Sequence, residues 1–192
     1  RTGADVGTGG HAAFLQQSHV ENVLVDCAQL DDRTWRLQAT AEGLRTVVSY
    51  LLMGRHGCLL MDPGSAVTWP ATLDALAGID ESLDVRWIAG STVHPTSVGA
   101  LPLIQATLGS DITVVTSQAQ APLVAHYGTL LPHVTLPQDG SLEIGGRALI
   151  AELSRFEPLR FGLRDSATGR MFGTGVPKPP PARLPARLEG AR

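Results

Sequence analysis

The residue types best suited to chemistry lie in one short segment, Ser91–Ser97, and in Asp62, which follows an apolar run. The imidazole of His94 can bind a metal ion or change its charge near neutral pH. Ser97, His94 and Asp62 together hold the groups of a nucleophile system, but no nucleophile elbow surrounds Ser97. We therefore predict that Asp62 accepts hydrogen bonds from nearby backbone N–H groups. His94 is predicted to pack in a pocket, hydrogen-bonded to a neighbour, with a ligand contact or a pH response as the alternative.

The remaining potential metal ligands are scattered along the chain. Cys27 and Cys58 lie in apolar, strand-like runs and lack the CxxC spacing of zinc or redox sites. We predict two reduced, buried thiols, and a disulfide between them is the alternative. The other histidines have no spacing typical of zinc ligands and are expected to face solvent or to cap helices. These histidines are His11, His19, His56, His126 and His133.

Two further groups of residues have a structural and a functional interpretation. Arg155, Arg160 and Arg164 alternate with apolar residues, which predicts an exposed strand face; an anion-binding pocket is the alternative. The pair Gly145-Gly146 predicts a hairpin turn and not a phosphate-binding loop, because no helix begins after it.

Apolar strands alternate with short helices along most of the chain, and this order is typical of an α/β layered domain. Proline near the start and glycine at the end indicate a helix over residues 69–77. Further helices are predicted over residues 99–108 and 119–126. Alternating or β-branched runs predict strands around residues 23–25, 34–38, 46–53, 58–61, 85–89, 112–115, 141–144, 147–151, 159–163 and 170–172.

Length and charge limit the function classes. The chain has 192 residues, enough for one domain with tails, and a formal charge of −3, which argues against a nucleic-acid-binding surface. Its apolar runs are too short to span a bilayer, so no membrane partner is expected. We divide the chain into a flexible leader (1–18), a domain (19–176) and a proline-rich linker (177–192). Because it begins at Arg1, we expect it to be a piece of a longer protein.

Three segments in consistent order carry a family resemblance: residues 49–64, residues 91–102, and residues 165–175. Together they resemble the metallo-β-lactamase-like domain of flavodiiron and oxygen-binding diiron proteins, over roughly Val20 to Val176. Gly99-Ala100-Leu101-Pro102 is most similar to the flavodiiron branch. The resemblance implies an αββα sandwich, either complete or without its final C-terminal elements.

The metal ligands of that family are largely replaced in this sequence. The family's motif reads His or Glu, x, His or Glu, x, Asp-His, and only one of these four donors remains. Two later ligand positions hold Phe and Gly, and the segment that should carry the last histidine is a proline run. The resemblance therefore implies a degenerate site without metal, cofactor or catalytic residues. We name the residues at these positions the vestigial pocket: Asp62, Thr92, His94, Thr96, Ser97, Phe156 and Gly175.

The function expected from this resemblance is a non-catalytic sensory or regulatory module of a larger signalling protein. We expect a cytoplasmic homodimer, a small-molecule ligand in the vacated pocket, and an output domain fused beyond the C-terminus. The alternative is a metal-independent or mononuclear hydrolase or oxidoreductase that uses His94 and Asp62.

Overall fold

The computed structural model describes residues 23–173. The first seven strands along the chain form one seven-stranded sheet. Its first half is an antiparallel meander, in which each strand pairs with the next along the chain. Gly54 pairs with Gly57 at the β3–β4 hairpin, where the sequence predicted a turn. The strands of the meander are β1 (Val23–Asp31), β2 (Thr34–Ala41), β3 (Val47–Gly54) and β4 (Gly57–Met61).

The second half of this sheet is parallel, and helical connections link its strands. The first helix ends two residues beyond the predicted range. The first part of the helix predicted over residues 99–108 is wrong. A separate turn of helix begins after His94, and a new helix begins at Leu101, with Pro102 in its first turn. Likewise, the helix predicted over 119–126 is a short α-helix followed by a 3-10 turn at Ala125–Tyr127. The elements are α1 (Trp69–Ile79), β5 (Val85–Ala89), α2 (Pro95–Val98), α3 (Leu101–Leu108), β6 (Thr113–Ser117), α4 (Ala121–Val124) and β7 (His133–Leu136).

A second, four-stranded antiparallel sheet has the order β11-β10-β9-β8. Gly145 and Gly146 both have positive φ between β8 and β9, so the predicted hairpin turn is confirmed. The strands are β8 (Ser141–Glu143), β9 (Ala148–Leu153), β10 (Phe161–Asp165) and β11 (Met171–Phe172).

Side-chain alternation along the large sheet produces two cores, because successive residues point to opposite faces. Leu51 and Leu60 pack against the helices, whereas Leu52 and Leu59 pack against the small sheet. The buried apolar side chains of the helices belong to the first core. Residues 23–173 therefore form three layers, α, β and β, and the second helical layer of an αββα sandwich is not built from them.

The two predicted boundaries at 18/19 and 176/177 lie outside the described residues, as does Gly175. No helix between residues 23 and 173 is both long and apolar enough to cross a bilayer.

Candidate functional site

Asp62 lies at the centre of the candidate site, directly after the carboxyl end of β4. It is 2% exposed and has a positive φ of 54°. Its Oδ1 accepts a hydrogen bond of 2.7 Å from the Ser91 N–H, and its backbone N–H donates to Ala89 O. The Ser49 hydroxyl donates to Asp62 O at 2.6 Å. Asp62 thus accepts a backbone N–H as predicted, and it joins the ends of β4 and β5.

One oxygen of the Asp62 carboxylate, Oδ2, has no hydrogen-bond partner. Burial raises the pKa of Asp62 to about 6, although the hydrogen bond from the Ser91 N–H lowers it in part. Oδ2 is buried and accepts no hydrogen bond. A buried oxygen without a donor is costly, so this atom is the most unusual polar group of the site.

His94 caps the short helix α2. Its Nδ1 accepts from the Thr96 N–H at 3.2 Å and lies 2.8 Å from Thr96 Oγ1. Its own backbone N–H donates to Thr92 Oγ1. The predicted hydrogen bond to a neighbour is confirmed, but the predicted packing of the imidazole in a pocket is wrong, because the residue is exposed. This capping interaction holds the His94 imidazole at the start of α2, at the edge of the candidate site.

The hydroxyl groups of the site are bonded to each other. Thr92 Oγ1 and Ser97 Oγ lie 3.0 Å apart, and Ser97 is 7% exposed. No hydrogen bond joins Ser97 to His94 among the described contacts, so the geometry gives no support to a Ser-His-Asp nucleophile system. Five predicted positions do line one cavity of about 470 Å³: Asp62, Thr92, His94, Thr96 and Ser97.

Phe156 is not in that cavity, which corrects its assignment to the vestigial pocket. The Ser154 hydroxyl accepts from the Phe156 and Glu157 N–H groups and so shapes the loop before β10. This turn leaves Phe156 83% exposed. Phe156 lines a neighbouring cavity of about 610 Å³, which shares Thr92 and His94 with the first. Counting along the chain could not show this, because the turn decides where the ring points.

Two arginines line the site, and the sequence analysis had singled out only one of them. Arg45, in the loop before β3, lines the 470 Å³ cavity and was not predicted. Arg160, one of three arginines assigned to an exposed strand face, lies before β10, is partly buried, forms an ion pair with Glu157 and lines both cavities. Arg164 does lie on β10, where it pairs with Glu152 at 2.8 Å. A charged residue in a loop carries no periodic signal, which is why Arg45 was missed.

The dinuclear metal site of the resembled family does not fit these residues. Between residues 23 and 173, no three His, Cys, Asp or Glu side chains come together in a way that could hold an ion. Nδ1 of His94 receives the Thr96 N–H, so in the neutral ring the proton is on Nε2 and neither nitrogen offers a free lone pair. Oδ1 of Asp62 is bonded to Ser91. Two metal ions need several converging anionic or imidazole donors.

Comparison of the sequence finds no match to known proteins, whereas comparison of the structure does. No protein-family model matches the sequence, and no curated protein matches it either. Solved structures do match. A mutant of the flavo di-iron protein of Thermotoga maritima aligns with a TM-score of 0.67 and 17% identity, over 75% of this chain and 40% of that one.

Two other solved structures give the same result. Metallo-beta-lactamase from Pontibacter korlensis has a TM-score of 0.62 and 19% identity, with 78% of this chain and 71% of that chain covered. A fragment of a diflavin flavoprotein from Nostoc has a TM-score of 0.68 and 18% identity, with 79% and 66% covered. The match spans only 40% of the length of the Thermotoga protein. These alignments, with the two stacked sheets and the helical layer, show that the chain carries a domain with the metallo-β-lactamase fold.

Proposed function

We propose that this domain is a non-catalytic, metallo-β-lactamase-like sensory or regulatory module of a larger signalling protein, without a dinuclear metal site. One observation carries the proposal: the imidazole of His94, the one family ligand that remains, is used to cap α2 through Nδ1. The other three positions of that loop are occupied by hydroxyl side chains, which are weak ligands.

The charges around the cavity support the same proposal. Asp62 is the only acidic residue among those that line the 470 Å³ cavity, and Arg45 and Arg160 line it too. A single carboxylate cannot neutralise two divalent ions, and two nearby guanidinium groups add further repulsion. The lining therefore disfavours polyvalent cations.

The proposal extends to the assembly in which the module works. We propose a cytoplasmic homodimer with an output domain fused beyond the C-terminus. The proline run Pro177–Pro181 supports this arrangement, because such sequences form extended spacers between domains. Sequencing the native gene on the 3′ side of the Arg192 codon tests it; a cyclase, kinase or DNA-binding domain there is the expected result. A stop codon directly after Arg192 would contradict the fused output domain.

Metal analysis tests the absence of a dinuclear site. The chain is produced in medium supplemented with iron, zinc and manganese, and its metal content is measured by mass spectrometry beside the Thermotoga flavo di-iron protein. We expect well under about one ion per chain. Stoichiometric metal that survives dialysis would overturn the proposal.

A variant with restored metal ligands provides a direct comparison of metal content with the parent. The triple substitution Thr92→His, Thr96→Asp and Ser97→His restores the family motif around His94. We expect this variant to take up more metal than the parent, up to about one ion per chain. An equal metal content in parent and variant, both at stoichiometric level, would show that the present residues already form a site.

A further inference from the structure

Two cavities adjoin each other beside His94, and we name the 470 Å³ cavity the polar end and the 610 Å³ cavity the apolar end. They share Thr92, His94 and Arg160, and their volumes are about 470 and 610 Å³. The polar end reaches Asp62 and Ser97, at the ends of β4 and β5. The apolar end lies between the loop after β5 and the loop before β10. A ligand that contacts both ends must therefore be amphiphilic.

The polar end requires a hydrogen-bond donor. Asp62 lines it, is 2% exposed, and has a buried Oδ2 without a hydrogen-bond partner. Thr92 and Ser97 line the same cavity, and with the Thr92 hydroxyl donating to Ser97 each hydroxyl oxygen can accept one further hydrogen bond. A carboxylate with two neighbouring hydroxyl acceptors matches an ammonium group, which has three donors and no acceptor.

The arginines require a negative charge on the same ligand. Arg45 is exposed in the loop before β3, and it lines the same cavity as Asp62. Arg160 lines both ends and keeps its ion pair with Glu157. Because Glu157 already compensates the charge of Arg160, a carboxylate on the ligand pairs with the Arg45 guanidinium in a charge-assisted hydrogen bond. The polar end thus suits a zwitterion.

The apolar end suits a hydrophobic side chain. Its surface includes Val93, Pro95 and Pro158, and Phe156 and Leu159 are 83% and 38% exposed. The loop that carries Phe156 and Leu159 is held in place, because the buried Gln120 amide donates to Leu159 O at 3.0 Å and to Gly90 O. An exposed aromatic ring on a fixed loop beside a cavity is a suitable contact for an apolar group.

We propose that these adjoining cavities bind a free α-amino acid with an apolar side chain. Its ammonium group pairs with the charge of the Asp62 carboxylate and donates to the Thr92 and Ser97 hydroxyls, and its carboxylate binds Arg45. Its side chain lies against Phe156. This inference rests on the proposed function, since metal ions in the polar end would take the position of the ammonium group.

Titration calorimetry on the full chain, with L-leucine as the probe, tests the proposal. We expect binding in the millimolar range or tighter. Three analogues report on the three contacts: N-acetyl-leucine removes the ammonium charge, leucine amide removes the carboxylate, and glycine removes the apolar side chain. Each is expected to bind at least about tenfold more weakly than leucine.

Matched variants assign the contacts to residues. Asp62→Asn keeps an acceptor for Ser91 but removes the charge, and is expected to weaken leucine binding by about tenfold or more. Phe156→Ala should weaken the binding of leucine and leave the weak binding of glycine unchanged. The control variant Leu130→Ala, at an 89% exposed position outside both cavities, should change the binding of neither amino acid. If Asp62→Asn does not fold, the exposed Arg45→Gln provides the same test, with an expected loss of leucine binding and no change for leucine amide.

The outcomes separate this inference from the function on which it rests. Absence of leucine binding in a metal-free protein overturns the amino-acid ligand alone. N-acetyl-leucine that binds as tightly as leucine, or leucine binding unchanged in both Asp62→Asn and Arg45→Gln, also overturns it. Stoichiometric metal in the purified chain instead overturns the proposed function, and this inference with it.

Discussion

Asp62 at the end of β4 and Ser91 at the end of β5 are joined by a hydrogen bond of 2.7 Å from the serine N–H to the aspartate Oδ1. The bond fixes the spacing of two loops that line the candidate cavity. It also holds a carboxylate in a largely buried position, because Asp62 is 2% exposed. Burial raises its pKa from 3.8 to about 6, so the folded protein holds this proton more tightly than the unfolded chain does.

The stability of the protein should therefore depend on pH through Asp62. A raised pKa in the folded state stabilises the fold at low pH, and this contribution is lost as pH rises from about 4 through about 6. We expect the free energy of unfolding of the parent, relative to Asp62→Asn, to fall between pH 4 and pH 7. Urea titrations across this range measure the difference. Parallel pH profiles of parent and variant would contradict the assignment.

A buried arginine, Arg147, links the two sheets. Arg147 Nε lies 2.8 Å from Asp165 Oδ2, and both side chains are 3% exposed. Arg147 also donates to Arg33 O at 2.6 Å and to Thr34 Oγ1 at 2.8 Å, across to the β1–β2 turn of the large sheet. Arg147→Met should lower the free energy of unfolding by roughly 3–5 kcal/mol, because it leaves the Asp165 charge buried without its partner.

An exposed ion pair provides the control for that variant. Arg86 and Asp84 lie 2.6 Å apart, but their side chains are 56% and 55% exposed. Arg86→Met should change the free energy of unfolding by less than about 1 kcal/mol, since solvent screens exposed charges. Chemical denaturation of both variants measures the contrast, and equal losses would show that burial of Arg147 is not what matters.

Two glycines form a second matched pair. A Cβ on Gly54 would lie 1.4 Å from the backbone oxygen of Ile144, where β3 passes the β8–β9 turn. Gly54→Ala should therefore force the sheets apart and cost several kcal/mol. A Cβ on Gly78, in helix α1, would meet nothing within 4 Å. Gly78→Ala should stabilise the protein by about 0.5–1 kcal/mol, as expected for this replacement within a helix. Thermal unfolding of both variants tests the pair, and similar melting temperatures would contradict it.

The two thiols should differ in reactivity. Both cysteines are free, as the sequence predicted, and Cys58 is 4% exposed while Cys27 is partly buried. Burial, with the nearby charges of Asp84 and Asp80, raises the pKa of Cys58 to about 11. Because the thiolate is the reactive form, native Cys58 should be alkylated by iodoacetamide at pH 8 at least about tenfold more slowly than Cys27. Peptide mass spectrometry follows the two sites, with the urea-unfolded protein as control. Faster native alkylation of Cys58 than of Cys27 would contradict this.

Local sequence patterns were sufficient for ten of the eleven strands and for several turns, but they missed β7. Alternation predicted β2, because the side-chain period of a strand is independent of the rest of the fold, and a strongly apolar run predicted β3. Gly145-Gly146 predicted a hairpin turn, since only glycine adopts two successive positive φ angles at little cost. The resemblance at residues 49–64 and 91–102 predicted the metallo-β-lactamase fold, which the solved structures confirm.

The sequence by itself therefore determined most of the order of the elements and, through the family resemblance, the fold; it also predicted that Thr92 and Thr96 stand where the resembled family has metal ligands. Only the tertiary structure decided that Phe156 points to solvent, that Arg45 faces the same cavity as Asp62, and that one oxygen of Asp62 has no partner. The reason is physical. Backbone periodicity acts over a few residues, whereas the position of a loop side chain depends on contacts with segments distant in sequence, such as the Gln120 amide that holds the loop before β10.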